Sequence, residues 1–117
     1  MNKESDCIFC KIAHKEIPVV LEYEDEILAA FNDKEPRAPL HVLIIPKNHI
    51  ARISDLTEQT SELVGRMVIA ANKIAEKRGA IDAGYRLVMN CGENGGQAIG
   101  HLHMHLLAGR QLGWPPG

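Results

Sequence analysis

The segment GHLHMHLL, residues 100–107, places His101, His103 and His105 at every second position, with Leu102, Met104 and Leu106 between them. The chain has six histidines in 117 residues, so half of them fall in this one stretch. On a β-strand, residues two apart share a face and lie about 6.5–7 Å from one another. The three imidazoles are therefore expected to line one polar working face while the three apolar residues point into a core. Neighbouring members of such a row can share a metal ion. His101 and His105, about 13 Å apart on strand spacing, cannot reach the same one. Three identical side chains in one row must then divide the labour. One chemistry that suits an imidazole in a fixed tautomer is attack on phosphorus: one ring nitrogen is held by a backbone carbonyl, and the other keeps its lone pair.

The preceding segment, NCGENGGQAIG, brings Gly92, Gly95, Gly96 and Gly100 just ahead of the histidines. Glycines allow backbone N–H groups to converge on an anion, and Asn90 and Gln97 are expected to add side-chain donors. Near the N-terminus, CIFC pairs Cys7 with Cys10. Such a pair is a zinc half-site, a redox motif or a coincidence. The βαβ context of a thioredoxin-like motif is missing, and a closed tetrahedral site needs two further ligands. Cys91 reads as a buried thiol, and His14 as a surface residue.

Positioning these groups requires a small mixed fold. CIFCKIAHKEI suits a short helix ending before Pro18; VVLEYED and EILAAFND read as strands joined by a tight acidic turn. HVLIIPK, rich in branched apolar residues, reads as a largely buried strand. Thr57 is the expected N-cap of a long helix. Leu63, Val64, Met67, Val68, Ala71, Ile74 and Ala75 recur in it with helical spacing, and Gly79 closes it. YRLVMNC and HLHMHLLAG give two last strands, and residues 109–117 form a tail. The order helix, three strands, helix, two strands predicts one α+β domain over residues 1–117 with antiparallel pairing. Fifteen acids against thirteen bases, with no basic run, give no nucleic-acid footprint. No signal-peptide or membrane-spanning stretch is visible, which predicts a cytoplasmic protein without a membrane partner.

HLHMHLL, together with CIFCKI, KEIP, FND, HVLIIPKNHI, GYRLVMNCGENGGQ and GRQLGWPPG, resembles the histidine-triad family of nucleotide hydrolases and transferases. GGQ and WPPG resemble its Hint branch, the purine nucleoside phosphoramidases. The resemblance implies a five-stranded antiparallel sheet with one long and one short helix, extended across a homodimer by a tail in which Trp114 reaches toward the partner's site. It implies a hydrolase that cleaves the P–N bond of purine nucleoside 5′-phosphoramidates through a nucleotidyl-histidine. His103 would be the nucleophile, His105 would attend the phosphate and leaving group, and His41 would support them. Ile27 and Phe31 would hold the base, Asp33 the ribose, and Asn90, Gly96, Gln97, Ala98 and Ile99 would surround the phosphate, with Trp114 beside the nucleotide. Ala98 stands where many relatives carry serine. The resemblance also implies structural zinc on Cys7, Cys10, His49 and His101. Related activities remain open: hydrolysis or transfer on dinucleoside polyphosphates or nucleotide sulfates, and non-catalytic nucleotide binding.

Overall fold

A computed structural model describes residues 4–117. Its backbone forms α1 (Ile8–Ala13), β1 (Leu21–Glu24), β2 (Leu28–Asn32), β3 (Leu40–Pro46), α2 (Glu62–Lys77), β4 (Tyr85–Val88) and β5 (Met104–Ala108). The five strands form one sheet in the order β1-β2-β3-β5-β4, with every neighbouring pair antiparallel. This is the expected α+β architecture.

Strand alternation sorts the side chains onto two faces. Leu28, Ala30, Leu40, Val42, Ile44, Leu102, Met104 and Leu106 pack on one face against Met67, Ala70, Ala71 and Ile74 of α2. Ala29, Phe31, Leu43 and Ile45 pack on the other against Phe9, Ile12 and Ala13 of α1. β3, central in the sheet and covered on both sides, is buried at every position, which is why its sequence shows a continuous apolar run rather than alternation.

The structure moves several predicted boundaries. Thr57 caps a separate 3-10 turn, Glu58–Thr60, and α2 begins only at Glu62 without a side-chain cap. Gly79 follows the helix in the left-handed region at φ 71°, as a helix stop requires. β5 starts at Met104, so His101 and His103 lie on the irregular approach to the strand rather than within it. Ile50 takes Leu102 N–H as a substitute for sheet pairing, at 2.7 Å. The in–out alternation nonetheless continues through this approach, since Leu102 still joins the α2-side core.

Candidate active site and metal centre

α1 is what turns the two cysteines toward the histidines. Cys7 is its N-cap, and its sulfur accepts the backbone N–H of Cys10 at 3.4 Å. The next helical turn carries Phe9, Ile12 and Ala13 onto the sheet, and Cys10 is fully buried. Cys7, Cys10, His49 and His101 thereby come together, their ligand atoms all within 4.8 Å of one another. Cys7 Sγ is 3.2 Å from His101 Nδ1, and Cys10 Sγ is 3.3 Å from His49 Nδ1 and 3.5 Å from His101 Nδ1. Tetrahedral zinc, with bonds of about 2.3 Å to sulfur and 2.0–2.1 Å to nitrogen, sets S···N edges of about 3.5 Å, so the four residues fit a metal of that kind. His101 Nε2 donates to the carbonyl of Pro46 at 2.8 Å, which leaves Nδ1 as the nitrogen with a lone pair for a metal. Burial raises the Cys10 thiol above its ordinary pKa and lowers His101 to about 4. A buried thiol and a buried imidazole kept neutral are the groups a cation would draw on.

His103 stands next to this cluster. Its Nδ1 lies 2.7 Å from the carbonyl oxygen of His101. A carbonyl only accepts, so Nδ1 carries the proton and Nε2 keeps its lone pair. Phe9 fixes the ring from the side, with centroids 5.2 Å apart at 82°. The polar face expected of the histidine row is covered by α1, and His101 and His103 are buried.

A second chain of polar groups runs from β3. The N–H of Arg37 donates to Nδ1 of His41 at 3.0 Å. Neutral His41 therefore carries its proton on Nε2, which lies 2.9 Å from His105 Nδ1. His105 in turn must present Nε2–H outward. Burial holds His41 below its ordinary pKa. Burial first, then the neighbouring imidazoles of His103 and His41, push His105 down to about 4. Asp33 Oδ2 is 3.4 Å from His41 Nε2, and its Oδ1 accepts the N–H of Glu35. The carboxylate therefore closes an Asx turn and faces the histidine pair as well.

The glycine loop is built differently from the expected anion cradle. Gln97 Nε2 donates to the carbonyls of Ala51 and Ile99, and its Oε1 accepts Gly92 N–H. Asn90 Nδ2 donates to Gly95 O at 2.7 Å. These side chains tie the loop together, and the N–H groups of Gly96 and Gln97 are also bonded within it. The backbone N–H groups of Ala98, Ile99 and Gly100 make no hydrogen bond among the described residues, and they are the donors left for an anion.

Ile27 does not join Phe31. It lies on the turn before β2 and lines a different cavity with Pro46, Asn48 and Ile50. Phe31 packs instead with Phe9 in an edge-on pair at 5.5 Å, amid Ile12, Ile17, Leu21 and Ile99. Sequence reasoning missed Phe9, although its place between the two cysteines, three residues before Ile12, was a helical-face signal. Trp114 is 84% exposed on the tail. His14 caps α1, and its Nε2 is buried without a partner rather than on the surface. Cys91 is half-buried, and hydrogen bonds from Ser54 lower its pKa.

The pattern "Scavenger mRNA decapping enzyme C-term binding" matches residues 6–113. The purine nucleoside phosphoramidase of Escherichia coli K12 is 46% identical over 108 residues, 92% of this chain and 91% of that protein. The chain belongs to the histidine-triad family. A HIT-like protein of Synechococcus elongatus is also 46% identical, over 96% of this chain and 97% of its own. The crystal structure of a HIT family hydrolase from Legionella pneumophila matches with a TM-score of 0.93 at 51% identity, covering 96% of this chain and 100% of that one. A histidine triad protein from Clostridium difficile gives 0.93 at 44% identity, covering 95% and 96%. With these relatives and an intact triad, this histidine-triad protein is a hydrolase. No described helix is long and apolar enough to cross a membrane.

Proposed function

We propose that the protein hydrolyses the P–N bond of purine nucleoside 5′-phosphoramidates, releasing the nucleoside monophosphate and an amine. The observation that carries this reading is the 2.7 Å contact of His103 Nδ1 with the His101 carbonyl, which frees Nε2 for phosphorus. Nε2 forms a bond to the α-phosphorus as the bond to the leaving nitrogen breaks. That nitrogen takes up a proton from solvent through the outward Nε2–H of His105, whose Nδ1 stays hydrogen-bonded to the Nε2–H of neutral His41, 2.9 Å away. Water then attacks the phosphorus, breaks the P–His103 bond and returns the proton. The free N–H groups of residues 98–100 suit the equatorial phosphate oxygens, each such donor being worth about 3–4 kcal/mol in the transition state. With them, Asn90, Gly96 and Gln97 form the phosphate loop.

Asp33, 3.4 Å from His41, would accept the ribose hydroxyls, and the Phe9–Phe31 pair would back an apolar wall for a purine. Cys7, Cys10, His49 and His101 would hold zinc as a closed structural site that fixes α1 and the backbone carrying the His101 carbonyl. The exposed Trp114 tail fits a homodimer in which it reaches the partner's site, and the protein would work in the cytoplasm.

Rapid quenching with substrate labelled at phosphorus tests the reading. Label should be trapped on His103, and His103→Ala should lose turnover by at least a factor of about 10³. Label on His105, or near-normal turnover in His103→Ala, refutes it.

A further inference from the structure

Beyond His105 the sheet face is no longer covered by α1. The register pairs Leu107 with His41 on one side and Arg86 on the other, and His105 with Leu43 and Val88. Arg86 and His41 therefore flank the continuation of the histidine row. A cavity of about 380 Å³ opens here, lined among others by His41, His105, Asn90, Arg37, Arg86 and Arg110. Three guanidinium-bearing residues meet at this one opening, and among the described residues no acidic side chain lines it. Asp33, the nearby carboxylate, sits at the His41 end and is not part of the lining.

None of the three arginines takes part in an ion pair among the described residues. Arg86 donates to the Gly113 carbonyl at 2.8 Å, and Arg110 to the carbonyls of Arg37 and Gln111, each at 3.0 Å. Those bonds hold the Arg86 and Arg110 guanidiniums in place yet leave most of their five N–H donors unspent. Fixed, unpaired guanidiniums recognise carboxylate or phosphate oxygens by paired hydrogen bonds. The apolar pair Phe9–Phe31 lies on the opposite, α1-covered side of the histidines. A phosphorus held at His103 with its nucleoside on that side would direct its leaving group toward the arginines.

We propose that this cavity is a subsite for an anionic group carried by the leaving group, with Arg86 and Arg110 as its specificity-determining residues. The proposal rests on the phosphoramidase reading for its first test and is independent of that reading in its second. In the first, kcat/KM is compared for two adenosine 5′-phosphoramidates, one made with β-alanine and one with β-alaninamide. The ratio of the two within each variant cancels the difference in amine basicity between variants, along with any general effect on the tail. The carboxylate-to-carboxamide ratio should fall about tenfold in Arg86→Gln and in Arg110→Gln, and recover in part in Arg86→Lys.

In the second, AMP and ADP are titrated calorimetrically, so that a β-phosphate supplies the anion without turnover. The ADP-to-AMP affinity ratio should fall about tenfold in the same variants. A fall in the first test alone assigns the subsite to carboxylates, and a fall in the second alone to phosphates. If wild type turns over neither amidate, the P–N reading fails, and the titration alone judges the subsite. Ratios that stay at the wild-type value in Arg86→Gln and Arg110→Gln in every arm that can be measured overturn it.

Discussion

Acidification should expose the cost of keeping His105 neutral. Arg37 N–H fixes the His41 tautomer, and His41 then donates into His105 Nδ1. A proton added at Nδ1 would set two N–H groups against each other 2.9 Å apart. Burial, with the neighbouring imidazoles, brings His105 from 6.5 down to about 4. A depressed histidine pKa means that between pH 4 and 6.5 the unfolded chain binds more protons than the folded one. Stability is therefore fully present above about pH 6.5 and is lost as pH falls toward 4. For that shift, linkage gives a ceiling of about 2.4 kcal/mol lost between pH 7 and pH 4.5. The ring is partly exposed, and solvent screening brings the expected loss to about 1.5–2 kcal/mol. His105→Gln cannot titrate, so its stability should fall by that much less than wild type over the same interval. Guanidinium unfolding of both proteins at the two pH values, at one metal content, measures the difference while the other histidines cancel. Equal pH dependence in the two would show that His105 keeps an ordinary pKa and would sink the tautomer chain built on it.

Three further outcomes are expected. Cys10→Ala should lower zinc content below one ion per chain and cost about 2–3 kcal/mol, roughly 10 °C in Tm for a chain of this size, as read by metal analysis and calorimetry on the same sample. Gly95→Ala puts a Cβ 2.5 Å from Cys91 O and 2.8 Å from Cys91 N, so the loop must shift. Its kcat/KM should drop by at least about tenfold, equivalent to about 1.4 kcal/mol of transition-state stabilisation. Gly65→Ala, inside α2 with nothing within 4 Å of the added Cβ, should instead stabilise the protein by about 0.5–1 kcal/mol in urea unfolding, because alanine stiffens the unfolded chain and favours the helix.

The sequence by itself determined what local periodicity encodes. Alternation in HLHMHLL put the histidines and the apolar residues on opposite faces, and that held even where regular pairing failed. The continuous apolar run of β3 marked a strand covered on both sides, and the helical spacing of Leu63 to Ala75 marked α2. CIFCKIAHKEI suited a short helix, a zinc reading of its C-x-x-C pair needed two more ligands, and the family resemblance supplied His49 and His101 as candidates.

What the sequence left open depends on which segments meet across the fold. Whether the histidine face meets water was decided by α1, which lays Phe9 over His101 and His103. Residues of one strand carry no record of a helix ninety positions earlier. Gln97 and Asn90 look like free donors in sequence, yet backbone carbonyls within reach engage their amides at 2.7–2.9 Å, because hydrogen bonds follow proximity rather than residue type. Ile27 and Phe31 are four apart on one extended segment, but the turn before β2 carries Ile27 away to the edge of another cavity. The proton order in His41 and His105 rests on one backbone N–H from Arg37. A backbone donor has no signature in sequence, so only the folded chain could assign it.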